Sequence, residues 1–156
     1  MRPSLFRRLL PLAALCLLLS ACGGKASAPF DPAATAQALQ DSGAFSEPLE
    51  SMSQDLACGP LYDIDSADVT GCAVYTTPTA GAEEIAVFTL ADEDAAKSAL
   101  DALTQRVADQ SEALENYQPD EVSKLDNAIL EQRGNSVLLV VAADADAAQK
   151  ALDTLK

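Results

Sequence analysis

The chain has 156 residues, 10 basic and 24 acidic side chains, a formal net charge of −14 and no histidine. That balance argues against nucleic acid as a partner, because phosphates need a basic footprint. The missing histidine removes Ser-His-Asp and Cys-His catalysis, histidine general bases and nearly all zinc sites together.

Residues 1–21 have the build of an export signal. Arg2, Arg7 and Arg8 supply a positive start and Leu9 to Leu19 an apolar core. That core fits the roughly 7–15 residues of a signal and falls short of the roughly 20 that span a bilayer. Leu19-Ser20-Ala21-Cys22 reads as a lipobox, a bulky aliphatic and two small residues before a cysteine. Cleavage is expected before Cys22, with lipid on its sulfur holding the protein to the extracytoplasmic face of the cell membrane. The other reading is an ordinary secretory signal with Cys22 a bystander. Loss of the three arginines leaves seven basic residues against 24 acidic ones. Such a surface serves solubility, admits cationic partners and offers no polybasic second anchor.

Residues 22–30 read as a flexible membrane tether, since Gly, Ala, Ser and Pro bury too little to order themselves. Residues 31–156 are enough for a single α+β domain. Asp31-Pro32 opens a helix, with Asp as N-cap and Pro in the first turn, ending near Asp41. A second short helix is expected over Pro48 to Leu56, and an extended piece over Leu61 to Asp65. Strands follow at Cys72 to Thr77 and Glu84 to Leu90. In the second, Ile85 and Val87 point one way and Ala86, Phe88 and Leu90 the other, so both faces are apolar and the strand is central.

Asp92 caps the longest helix, expected from Glu93 to Asn116 with a stripe of Ala96, Leu100, Leu103, Val107, Leu114 and Tyr117. Pro119 ends it, and Glu121 to Leu125 is one further turn. Asn127 to Gln132 and Val137 to Ala142 are strands joined by Gly134-Asn135, and Asp144 caps a last helix to Leu155. Residues 84–103 and 136–155 align without a gap, Asp92 on Asp144 and Leu103 on Leu155. The chain therefore reads as two β-β-α units. One hairpin and one helix cannot enclose a core, whereas two copies can. The expected fold is α+β: a mainly antiparallel sheet of about four strands, both repeat helices on one face, and short N-terminal helices.

Cys16 leaves with the signal and Cys22 takes lipid, so Cys58 and Cys72 remain for an exported chain and are expected to form one disulfide. The alternative is two free thiols or a redox pair, though nothing resembles Cys-x-x-Cys. No cofactor or metal is expected. Asp63, Asp65 and Asp68 fail the EF-hand pattern, which wants Gly and Glu where Asp68 and Val74 stand. Asp92-Glu93-Asp94 and Asp144-Ala145-Asp146 both open helices, where carboxylates suit the dipole.

Several pieces have a familiar order: Leu61-Tyr62-Asp63-Ile64-Asp65; Glu84-Ile85-Ala86-Val87-Phe88; Arg106 and Gln110; Tyr117-Gln118-Pro119-Asp120-Glu121 with Lys124-Leu125 and Asn127-Ala128; and Gly134-Asn135 before the last strand. In these the chain resembles a bacterial lipoprotein family known as domain of unknown function 4358. The resemblance implies an exported lipoprotein of a Gram-positive anaerobe and implies no activity. The Cys58–Cys72 pair lies outside it.

Arg106 and Gln110 are one helical turn apart, with Tyr117 near the same face. An Arg fork with a Gln amide could hold a carboxylate ligand or a partner. Equally, Arg106 could pair with Asp109 or Glu112 while Tyr117 closes the helix onto the sheet. These considerations lead to a non-catalytic protein-interaction or accessory module at the cell surface. A small-ligand-binding lipoprotein is the alternative, and an enzyme comes third. The first expects a protein partner and no deep pocket. The second expects a cleft of a few hundred Å3 with converging polar groups around Arg106.

Overall fold

A computed structural model of the chain describes residues 27–155. The lipobox and its Cys22 lie outside the described residues. The elements are α1 (Pro32–Gln40), β1 (Glu50–Met52), α2 (Gln54–Leu56), a one-turn π-helix (Ala57–Leu61), β2 (Val69–Thr76), β3 (Glu84–Leu90), α3 (Glu93–Glu115), α4 (Pro119–Asp126), β4 (Ile129–Arg133), β5 (Ser136–Val141) and α5 (Ala145–Asp153). The strands form one sheet in the order β1-β2-β3-β5-β4, every pair antiparallel.

Three helices begin at the aspartates whose side chains suit that place. Asp31, Asp92 and Asp144 accept from the N–H groups of Ala34, Ala95 and Ala147 at 2.7, 2.8 and 2.9 Å. Each bond satisfies one of the donors that a helix start leaves free. Asp92→Ala is expected to cost about 1 kcal/mol, read as a lower urea midpoint at unchanged slope.

The sheet is covered on both faces, which explains why β5 is buried along its whole length and β3 everywhere but at Thr89. Ala86, Phe88, Leu90, Val137, Leu139 and Val141 meet α3 and the π-helix in one cluster. Ile85, Val87, Leu138 and Val140 meet α1 and α5 in another. The alternation expected in β3 is therefore present, residue for residue.

The expectation that both repeat helices share one face is corrected. α3 and α5 lie on opposite faces of the sheet. The repeat itself contains the reason. Ile85 aligns with Val137, yet Ile85 faces α1 and α5 while Val137 faces α3. β5 runs antiparallel beside β3 in a register that sets Ile85 opposite Val140 and Phe88 opposite Val137, so the residue that aligns with Ile85 falls on the other face of the sheet. Its helix follows to that side. The sheet also has five strands, because residues expected as helix over Pro48 to Leu56 instead supply β1 and a single helical turn. A three-residue strand cannot be told from a helical turn by periodicity.

Phe30, expected within the flexible tether, is 3% exposed. Its N–H donates to Ser136 Oγ at 2.7 Å, and the Arg133 guanidinium sits 4.0 Å above its ring. The chain thus enters the fold at the β4–β5 turn, where Gly134 takes φ +53°, a value glycine allows without strain.

The expected Cys58–Cys72 disulfide is also corrected: both cysteines are free thiols. Cys58 is buried in the π-helix, and Cys72 Sγ on β2 lies 3.8 Å from Gln54 Oε1 as a weak donor. Burial pushes both thiols up, Cys58 further helped by Cys72 and Asp55 nearby, which keeps them from the reactive thiolate form. Alkylation in denaturant without reductant is expected to label both, and protection of both would restore the bridge.

Candidate functional site

A glutamate pair stands at the entry to β3, Glu83 just before the strand and Glu84 as its first residue, and the chain turns apolar after them. Both are nearly inaccessible, at 1% exposure each. A buried carboxylate needs a cation or several donors, and each finds its own.

Glu84 lies on the α3 side. Arg106 Nη2 donates to its Oε2 at 3.2 Å, and Tyr62 Oη donates to its Oε1 at 3.0 Å. Burial raises the Glu84 carboxyl above the ordinary carboxylate range despite these two partners. Burial and the neighbouring Glu84 raise the Tyr62 phenol well above its usual value, so it remains a donor. The Tyr62 ring packs edge-on to Phe88, centroids 5.7 Å apart at 87°.

Glu83 is held from elsewhere. Lys124 Nζ of α4 donates to its Oε1 at 2.9 Å, the Ser46 and Glu47 N–H groups donate to its Oε2 at 2.9 and 3.2 Å, and the Ser46 hydroxyl adds a fourth bond. Burial pulls its pKa upward, but the bonds from Ser46, Lys124 and Glu47 outweigh it and the net shift is down. Lys124 also pairs with Glu121 at 2.8 Å, and Glu121 Oε2 accepts from the Ala82 N–H at 2.8 Å.

The π-helix closes on Asp63, which takes φ +54°. Asp63 N–H donates to the Gly59 carbonyl at 3.3 Å, and the Ile64 N–H donates to that of Cys58 at 2.7 Å. A left-handed residue ending a helical turn is ordinary, and aspartate tolerates the conformation better than most. This turn stands off α3 and leaves a groove of about 440 Å3 lined by Pro60, Leu61, Tyr62 and Asp63 on one side and Ala102, Gln105, Arg106 and Asp109 on the other. The four α3 residues fall at the spacing of a single helix face.

Of the row expected on α3, Arg106 and Gln110 share a neighbourhood and Tyr117 does not. Arg106 pairs with Glu84, not with Asp109 or Glu112. Gln110 Nε2 donates to the Gly81 carbonyl at 3.5 Å. Arg106 Nε and Gln110 Oε1 are buried with no partner among the described residues. Tyr117 is 72% exposed beyond the end of α3, so it does not close that helix onto the sheet.

Sequence reasoning did not single out Glu83, and it named Glu84, Tyr62, Lys124 and Glu121 only among the residues of the family resemblance, without a role. The signal was the Glu83-Glu84 pair itself, two carboxylates entering a strand apolar on both faces. Among the described residues no three His, Cys, Asp or Glu side chains are grouped to hold a metal ion. Nor is any described helix long and apolar enough to cross a membrane.

The family described as Domain of unknown function (DUF4358) matches residues 44–142. The chain belongs to that family. No curated protein and no solved structure matches it. The matched span holds all five strands, α3, α4 and both carboxylate clusters. The sequence pieces noted above, far apart along the chain, converge on residues 81–84. Tyr62 and Arg106 reach Glu84, Gln110 reaches Gly81, Glu121 reaches Ala82 and Lys124 reaches Glu83.

Proposed function

We propose that the protein is exported, held to the extracytoplasmic face of the membrane by lipid on Cys22, and acts there as a non-catalytic binding module whose recognition face is the groove between α3 and the π-helix. The observation that carries this reading is the groove itself, a cleft of the size binding sites have, with Arg106 in its wall. Arg106 is bound to Glu84, and Glu83 separately to Lys124, an arrangement suited to holding the walls in place.

The position of the groove agrees with a tethered module. Phe30 docks beside the β4–β5 turn, and Leu90 at the end of β3 bonds to Asn135 of that turn. Glu84 is at the other end of β3, six residues and about 20 Å away. Arg106 is thirteen residues along α3 from Glu93, again about 20 Å. A chain anchored through residues 22–29 would carry this groove away from the attachment point.

A small-ligand site is the second reading, favoured by the groove's volume and its converging polar groups. The test is in cells. Cys22→Ala is expected to move the protein out of the membrane fraction. A photo-crosslinking residue in place of exposed Gln105 should then give discrete adducts in the anchored protein, and one in place of exposed Lys150 on α5 should not. Adducts from Lys150 alone, or equally from both, would sink the groove as the recognition face.

A further inference from the structure

The chemistry of the groove walls selects an occupant. Pro60, Leu61, the Tyr62 ring and Ala102 line it with carbon. Its carboxylates come from separate elements, Asp63 from the turn after the π-helix and Asp109 from α3, and both residues are exposed. Arg106 is the one cation in the lining, and buried Glu84 neutralises it. The groove therefore carries two negative charges that face no cation, with Asp109 accepting a hydrogen bond from Gln105 Nε2 at 2.6 Å, above walls that mix polar and apolar surface. An incoming carboxylate or phosphate would be repelled, and an uncharged apolar group would leave the carboxylates unused.

Building on the binding-module reading, we infer that the groove takes a lysine or arginine side chain from an extended basic segment of a partner protein. Such a side chain has an apolar stem and a charged head. The stem packs on Leu61, Tyr62 and Ala102, and the head lies between the carboxylates of Asp63 and Asp109. The groove runs along α3 from Ala102 to Asp109, about 10 Å, room for backbone on either side of one inserted side chain. The net charge of −14 steers a basic segment toward the protein from a distance.

The probe is a blocked five-residue peptide with lysine at its centre and alanine elsewhere, beside matched peptides centred on norleucine and on glutamate. Each is titrated into the 15N-labelled full chain in detergent micelles. The lysine peptide is expected to shift the amides of Leu61, Tyr62, Asp63, Gln105, Arg106 and Asp109 saturably, and more weakly as salt is raised. Asp63→Asn with Asp109→Asn should weaken its binding about tenfold, the sum of two exposed charge contacts. Asparagine keeps the left-handed turn at position 63 accessible. Asp101→Asn with Glu115→Gln removes the same charge from α3 outside the groove and should change binding less than about twofold.

Equal weakening by both pairs would reduce the effect to overall charge and overturn the inference. So would equal or tighter binding of the norleucine or glutamate peptide in the groove, an outcome that leaves the groove standing as a recognition face. Shifts confined to other surfaces would overturn the basic-segment inference as well, and the crosslinking comparison at Gln105 and Lys150 decides the recognition face separately.

Discussion

Arg106→Met is expected to destabilise the protein by about 3 kcal/mol, measured as urea unfolding at neutral pH. The substitution keeps most of the stem and removes the cation facing Glu84. Glu84 has a side chain only 2% exposed, so its charge is left with Tyr62 alone. The effect belongs near the lower end of the range for broken buried pairs, because Arg106 itself keeps 24% exposure. Adding Glu84→Gln should recover most of the loss, since an amide can still accept from Tyr62 and carries no charge to strand. A double variant as unstable as the single would show that Arg106 acts through packing instead.

The pH dependence of that loss has a definite sign. The folded-state pKa of Glu84 is raised, so the folded protein holds this proton more tightly than the unfolded chain does. The stability contributed by Glu84 is then fully present at low pH and falls as pH climbs from the unfolded carboxyl value, about 4.3, through the folded one. In Arg106→Met the carboxyl rises further, and protonation relieves the stranded charge. The gap between variant and parent should therefore narrow as pH is lowered from about 8 to about 5. A gap independent of pH would count against an uncompensated Glu84 as the cause.

Lys124→Met is the second large effect, again about 3 kcal/mol. It removes the cation from Glu83, whose side chain is fully buried, and from Glu121. The Ser46 and Glu47 donors remain on Glu83, and they limit the damage without matching its charge. Here the linkage runs opposite to Glu84 on the acid side. The Glu83 pKa is lowered, so its contribution is present above about pH 4.3 and is lost as pH falls through the folded value. The Lys124 pKa is raised, burial opposing it but the bonds to Glu121 and Glu83 prevailing. Its contribution is complete below about pH 10.4 and is lost as pH rises through the folded value. Glu83→Gln should accordingly flatten the acid limb of the stability profile. An acid limb unchanged in Glu83→Gln would place the acid sensitivity elsewhere.

Neighbouring residues at the entry to β3 thus contribute with opposite pH signs because their surroundings differ. Glu83 accepts four hydrogen bonds, two from backbone, one from the Ser46 hydroxyl and one from Lys124. Glu84 accepts two, across the ladder from Val141. Fewer donors and heavier desolvation leave the Glu84 carboxyl raised, while the extra donors on Glu83 bring it down.

What the sequence determined by itself was local in origin. Asp31, Asp92 and Asp144 announced their helix starts because a short oxygen-bearing side chain satisfies the first free N–H groups with no help from elsewhere. The bounds of β3, its two apolar faces and the β-β-α repeat followed from periodicity, and the family could be recognised from spaced residues. Tertiary structure decided everything that depends on how elements turn relative to one another. That α3 and α5 take opposite faces follows from the register at which β5 seats on β3, Val137 opposite Phe88, which alignment of the repeats cannot convey. That β1 is a strand at all depends on β2 offering it an edge. Cys58 and Cys72 are the right number for a bridge, yet the fold keeps them as free thiols, Cys58 buried and Cys72 partly so. Tyr62, Glu84 and Arg106 lie on three separate elements, and only the closing of the π-helix over α3 brings them together beside one groove. Charge and pattern are written residue by residue, whereas a site of this kind exists only where distant segments meet.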